Sequence, residues 1–172
     1  MSIKSRIRTI ENYPIEGVMF RDITTLLKDP IGLRSSIDAF VNRYKDLQID
    51  KVVAIESRGF IIGAPLAYLL NIGLVLIRKP GKLPSDTIKQ NYELEYGTDC
   101  IEVHTDAINE GDKVLIVDDL IATGGTAIAT ADLCQELGAT TIHTLSLIDL
   151  PELGGSKKIA NKYGEVRTLI DY

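Results

Sequence analysis

Short apolar runs separated by longer amphipathic stretches set the pattern of this chain. At about 52–55, 74–78, 114–118 and 142–148, consecutive β-branched and aliphatic residues leave no polar face, as expected of strands covered on both sides in a parallel sheet. Between them the period lengthens. Asp29-Pro30 reads as an N-cap followed by proline at the first helical position, and Leu33, Ile37, Val41 and Tyr44 then recur along one face. FIIGAPLAYLLN is apolar enough for a buried helix that Asn71 and Gly73 end, and Gly138 closes a second helix over AIATADLCQELG. Ile3, Ile7 and Ile10 predict an amphipathic helix in the first dozen residues, and residues 11–24 read as a loop around Pro14 and Gly17. Residues 79–92 (KPGKLPSDTIKQNY) read as a long polar loop, YELEY and CIEVHT alternate as strands do, and TTIHTLSLIDL reads as the last core strand.

Strands alternating with helices predict an α/β doubly wound parallel sheet. Ligands of such sheets bind beyond the carboxyl ends of the strands. SRGF, the 79–92 loop and DDLIATGGT all lie at those ends, which predicts that they converge on one cleft.

Composition narrows the picture. A chain of 172 residues with 45% apolar and 25% charged residues suits one globular domain. Its formal net charge of −5 argues against nucleic acid or an anionic membrane as partner. No run reaches the roughly 18 apolar residues of a membrane span, and MSIKSRIRTI is too charged for a signal peptide. Cys100 and Cys134 lack ligand or disulfide spacing and read as packed thiols, so a reducing cytoplasm is the expected location. His104 and His143 alternate within strands, away from recognisable partners, and read as structural.

The chemistry concentrates in VLIVDDLIATGGT, residues 114–126. A strand, a Gly-Gly turn flanked by hydroxyls and a helix start form the arrangement in which backbone N–H groups cradle a phosphate. Yet Asp118 and Asp119 stand at its mouth. The GxxxxGK[ST] lysine and the GxGxxG spacing are both absent, which disfavours nucleoside triphosphates and dinucleotides. Carboxylates repel phosphate but accept hydrogen bonds from sugar hydroxyls. A ribose 5-phosphate resolves the conflict: phosphate on Ala122, Thr123, Gly124, Gly125 and Thr126, hydroxyls on Asp118 and Asp119. The plain alternative is that the two aspartates only solvate a strand end.

This stretch resembles the phosphoribosyl diphosphate (PRPP) binding motif of the type I phosphoribosyltransferases. GVMFRDIT (17–24), ESRGF (56–60), IRKPGKLP (77–84) and YELEYG (92–97) resemble, in the same order, segments of the adenine-using branch of that family. The resemblance implies a single domain over 1–172 with a central, mostly parallel sheet flanked by helices. It also implies a small hood to which about 1–28 contributes, a core over about 29–150, Mg²⁺ as cofactor and a homodimer. The reaction implied is adenine plus PRPP giving AMP and pyrophosphate. The same resemblance assigns Ser57, Arg58, Gly59, Arg78, Lys79 and Lys82 to the diphosphate, with Arg78 reaching across the dimer interface. It implies a cis or strained peptide at Glu56-Ser57. Val18, Met19, Phe20 and Arg21 fall in the adenine segment, Phe20 as the stacking partner and Leu150 as the other wall. Glu95 falls where the base's proton is handled, and Tyr96 beside it closes over the ribose. Mg²⁺ is expected mainly on PRPP itself, with direct ligation by Asp118 or Asp119 left open.

Oxopurine relatives place an aspartate where this chain has Ala122, which disfavours them; xanthine stays as an alternative base. PRPP-sensing regulators that keep the fold without catalysis carry a DNA-binding segment, and no helix-turn-helix is recognisable in the roughly 50 residues before the first core strand.

Overall fold

The computed structural model describes residues 2–94 and 97–172. A hairpin of β1 (Arg8–Glu11) and β2 (Met19–Asp22) opens the chain, with Arg8 opposite Asp22 and Ile10 opposite Phe20. This corrects two expectations. Instead of an N-terminal helix there is only a 3-10 turn over Lys4–Arg6, and part of the 11–24 loop is a strand. Tertiary partners override the local spacing of Ile3, Ile7 and Ile10. The Thr25 hydroxyl donates to the Arg6 carbonyl at 2.7 Å and accepts from the Arg8 N–H at 3.1 Å, while the Arg8 guanidinium pairs with Asp22. Ile7 is thereby drawn into the core.

Helices α1 (Thr24–Leu27) and α2 (Pro30–Tyr44) follow, the second capped by Asp29, whose Oδ1 accepts from the Ile31 N–H at 3.0 Å. The core then alternates: β3 (Lys51–Ile55), α3 (Arg58–Leu70) and β4 (Gly73–Ile77). Asn71, left-handed at φ 56°, ends α3. β5 (Thr87–Glu93) and β6 (Thr98–His104) form an antiparallel hairpin, so the polar loop stops at Asp86 rather than running to Tyr92. After it come β7 (Lys113–Ile121), α4 (Gly125–Glu136) and β8 (Thr141–Asp149). The chain continues through α5 (Gly155–Tyr163) into β9 (Val166–Asp171). The principal sheet is parallel throughout, in the order β4-β3-β7-β8-β9, so residues beyond 150 also enter it. Its β9 was not foreseen: VRTLID carries two charges in six residues and is only half buried, so no apolar run marks it.

Both faces are covered, as the continuous apolar runs required. Along β7, Leu115 and Val117 pack with Phe40, Tyr44 and Leu66 of α2 and α3. Val114 and Ile116 turn the other way, against Ala129 and Leu133 of α4 and Ile101 and Val103 of β6. Each fully buried aliphatic chain of this kind contributes about 1.5–3 kcal/mol of transfer free energy. The sheet is thus packed on both sides as far as the ends of β3 and β4, and the chemistry-bearing residues begin there.

Candidate active site

Helix α3 starts almost against the middle of β7. A Cβ at Gly59 would come within 2.7 Å of the Val117 carbonyl oxygen, so only glycine permits the approach. That approach sets Arg58 beside the aspartate pair: its Nε lies 2.5 Å from Asp119 Oδ2. The peptide between Glu56 and Ser57 is cis, as the resemblance implied. A cavity of about 410 Å³ opens here, walled by Ser57, Arg58, Arg78, Lys79, Asp118 and Asp119. The structure therefore brings together the ends of β3, β4 and β7, as the strand pattern predicted.

Every cation of this wall has a carboxylate partner. Glu56 receives Arg78 at 3.2 Å, Lys82 at 2.7 Å and the Lys79 N–H at 2.9 Å. Burial alone would raise the Glu56 carboxyl, but Lys82, the Lys79 N–H and Arg78 together lower it to about 2. Arg78 thus bonds within its own chain. Lys79 pairs with Asp99 and donates to the Tyr92 hydroxyl at 3.2 Å. Burial works to lower the Lys79 ammonium, and the hydrogen bonds that it donates to Asp99 and Tyr92 overcome it and raise it. Asp118 behaves oppositely: burial, then the neighbouring Asp119 charge, push its carboxyl well above the ordinary range. Its Oδ1 accepts the Asp119 N–H at 2.8 Å.

The phosphate loop lies next to this cavity. Gly124 takes the left-handed conformation, φ 83°, as N-cap of α4. The first N–H groups of such a helix lack intrahelical partners and are available as anion donors. Behind the loop stands a residue that sequence reasoning passed over. A Cβ at Gly155 would meet the Ala122 oxygen at 2.3 Å and the Gly124 nitrogen at 2.6 Å, and the Gly155 N–H donates to that oxygen at 3.1 Å. The Gly154-Gly155 pair after the last foreseen strand was a visible signal for it. Thr123 and Gly125 face a neighbouring cavity of about 540 Å³, closed on its far side by Tyr92, Glu93 and Leu94 of the β5–β6 hairpin.

The residues assigned to adenine do not wall the 410 Å³ cavity. Phe20 stacks edge-on with Tyr13, ring centroids 5.1 Å apart, while Val18 and Met19 are exposed. The Arg21 guanidinium lies 4.0 Å from the centre of the Tyr172 ring and donates to Thr9 Oγ1 at 2.5 Å. Leu150 packs at the edge of the core next to the end of β7, its N–H on the Ile121 carbonyl at 3.0 Å. Glu95 and Tyr96 lie outside the described residues; Leu94 and Gly97, on either side of them, are joined by a 2.9 Å hydrogen bond.

Of the remaining sequence candidates, His104 Nε2 accepts the Ser85 N–H at 3.3 Å, and His143 meets Tyr44 edge-on at 6.1 Å. Both are engaged in packing or loop contacts. Burial pushes the Cys134 thiol up to about 12, which makes it inert. Two further carboxylates escaped sequence reasoning. Glu56 was signalled by its place directly before Ser57-Arg58; Asp99, a polar position in an alternating strand, carried no signal.

The family description "Phosphoribosyl transferase domain" matches residues 22–168. The adenine phosphoribosyltransferase of Nitrosospira multiformis is 58% identical over 172 residues, covering 100% of this chain and 98% of that protein. Among solved structures, the adenine phosphoribosyltransferase of Thermoanaerobacter pseudethanolicus superposes with a TM-score of 0.92 at 46% identity, covering 99% of this chain and 98% of that one. That of Giardia lamblia, complexed with 9-deazaadenine, gives 0.95 at 36% identity, covering 100% and 98%. A phosphate loop preceded by two aspartates, a cation-lined cavity beside it and this likeness along the whole chain have one source: the chain belongs to the phosphoribosyltransferases, in their adenine phosphoribosyltransferase branch.

Proposed function

We propose that the protein transfers the 5-phosphoribosyl group of PRPP to adenine, giving AMP and pyrophosphate. The observation that carries this reading is the adjoining pair of subsites: N–H donors of the Ala122–Thr126 loop for the 5′-phosphate and, across Asp118 and Asp119, a wall of Arg58, Arg78 and Lys79 for the diphosphate. Breaking the bond between C1 of the ribose and pyrophosphate leaves an oxocarbenium-like sugar and moves negative charge onto the leaving group. The cationic wall, with Lys82 at its rim, stabilises that charge where it develops. Asp118 and Asp119 hold the ribose hydroxyls and fix C1 between leaving group and base. Glu95, which follows β5 in the sequence, takes up the proton that N9 of adenine releases on attack. Tyr96 and the hairpin then shut water out, which protects PRPP from hydrolysis. Phe20 and Leu150 form the two walls of the base site, with Val18, Met19 and the Arg21 backbone completing it.

Among the described residues no three ligating side chains gather into a metal cage. The donor set suits Mg²⁺ carried on PRPP, which keeps most of its ligands from substrate oxygens and water, with Asp118 or Asp119 as the protein's contact. When bound, the ion neutralises diphosphate charge. A homodimer and a cytoplasmic location belong to the same reading. The first is supported by apolar side chains exposed on α3 and β4, the second by free thiols at Cys100 and Cys134.

Product formation from PRPP and Mg²⁺ with adenine, hypoxanthine, guanine and xanthine offered singly tests the reaction. Conversion of adenine alone is expected. Turnover of an oxopurine would overturn the assignment of Phe20 and the argument from Ala122. Tight PRPP binding without turnover of any base would make the protein a sensor.

A further inference from the structure

The cations around the cavity draw their counter-ions from two sources. Arg58, Arg78 and Lys82 are neutralised by Asp119 and Glu56, which belong to the same strand ends. Among the described residues, Lys79 alone of these four takes its carboxylate from the β5–β6 hairpin. Asp99 and Tyr92 face each other across that hairpin, one step from its last pair, Glu93 and Thr98. Asp99 Oδ2 takes both the Lys79 ammonium and the Tyr92 hydroxyl, the latter at 3.2 Å, and Oδ1 accepts the Cys100 N–H at 2.7 Å. The three side chains close a triangle on the cavity wall. The hairpin that supplies two of them also rests on the phosphate loop, where a Cβ at Gly125 would come 3.0 Å from the Glu93 oxygen.

A carboxylate lining an anion site opposes its ligand unless it serves another end. Lys79 and Asp99 are both about one-third exposed, with side-chain exposures of 39% and 31%, so their pairing is cheap to exchange. We propose that Asp99 is a positioning residue: it holds Lys79 before substrate binds, surrenders it to the incoming diphosphate, and by that exchange frees the β5–β6 hairpin. Tyr92 is the other half of the tether, bound to both charges until the exchange occurs. The order of events follows. The leaving group must be seated before the hairpin can move, so the hairpin is released only once there is a reaction to catalyse. Reclosing of the Lys79–Asp99 pair then helps expel pyrophosphate. This inference rests on the PRPP reading of the site and extends it to a residue outside the recognised motifs.

The test is Asp99→Asn, which keeps shape and hydrogen bonding and removes the charge. The dissociation constants of PRPP and of pyrophosphate, measured calorimetrically with Mg²⁺, should both fall about threefold or more, because the competitor for Lys79 is gone. Addition of pyrophosphate should speed amide exchange in 87–93 and 98–104 of the native protein, and the exchange of Asp99→Asn should be fast without it. In a Lys79→Met background the same substitution should leave both dissociation constants unchanged, since Asp99 acts through that lysine. A folded Asp99→Asn that binds PRPP with native or weaker affinity overturns the proposal. So does tighter binding that persists in the Lys79→Met background, which would mean simple repulsion. Failure of the native protein to bind PRPP would instead remove the reading on which the proposal rests.

Discussion

At the scale of single residues, carboxylates divide by what they face. Asp118 and Asp119 adjoin the phosphate loop, and in the proposed complex they accept from ribose hydroxyls. Replacing both with asparagine removes two charge-assisted acceptors, each worth about 1.5–3 kcal/mol, so PRPP binding should weaken by about 10²-fold or more. Unchanged affinity by titration calorimetry would show that the ribose is held elsewhere. The opposite sign expected for Asp99→Asn makes the pair of experiments discriminating, since a generic effect of lost negative charge would move both the same way. Glu56 links the site to stability. Its carboxyl lies at about 2 in the folded protein against an ordinary 4.5. A group lowered on folding binds fewer protons folded than unfolded. Its contribution is therefore full above pH 4.5 and is lost as the pH falls from there towards 2. The thermal midpoint should decline across that window, and Glu56→Gln should flatten part of the decline. Asp22, lowered to about 2 chiefly by Arg8 and Thr24, titrates in an overlapping window and remains in the variant. An acid profile of Glu56→Gln that superposes on the native one would contradict the assignment.

At the scale of elements, the hood depends on the far end of the chain. Tyr172 lies under Arg21 of β2 at 4.0 Å and under Lys4 at 4.4 Å, and its N–H reaches the Asp149 carbonyl at 3.1 Å. The strand carrying Phe20 and Arg21 is thereby tied to β8, whose end leads into Leu150. Tyr172→Ala removes a cation–π contact worth about 0.5–1 kcal/mol, which should raise KM for adenine about two- to fivefold and leave KM for PRPP unchanged. Equal rises in both constants would mean general loosening, and no rise would detach Tyr172 from base recognition. None of this was legible in the sequence. Strands buried on both faces announce themselves as apolar runs, and 52–55, 74–78, 114–118 and 142–148 each overlap an observed strand. The capping pair Asp29-Pro30 and the left-handed Asn71 were equally local signals. Elements whose stability comes from a distant partner carry no such mark: β1 needs β2 and Thr25, and β9 needs β8. The site follows the same rule. Motif residues at strand ends were readable, whereas Asp99 and Gly155 matter only through what folding sets beside them.

At the scale of the molecule, one edge of the sheet and the helix beside it keep apolar side chains exposed. β4 is an edge strand whose Leu74 and Leu76 are 39% and 38% exposed. Ile61, Tyr68 and Leu69 of the adjoining α3 are 44%, 83% and 51% exposed. A Cβ at Gly63 would lie 3.6 Å from Leu74 Cδ1, which sets the exposed side of β4 directly beside that helix. Apolar side chains exposed together in this way are the kind of surface through which proteins associate. A second copy of the chain is the occupant that the family resemblance implies, and a two-fold contact would bring the same patch from both subunits together. Light scattering should give twice the chain mass for the native protein and the single mass for Tyr68→Glu, which buries a charge in the centre of the patch. A native monomer would return these side chains to the category of ordinary exposed apolar residues. The monomeric variant also decides how Arg78 works. If the guanidinium serves its own chain, where it meets Glu56 at 3.2 Å, PRPP affinity survives dissociation. If Arg78 completes the neighbouring site across the interface, affinity falls with the dimer, and adding back native protein at rising concentration restores it in proportion to the mixed dimers formed.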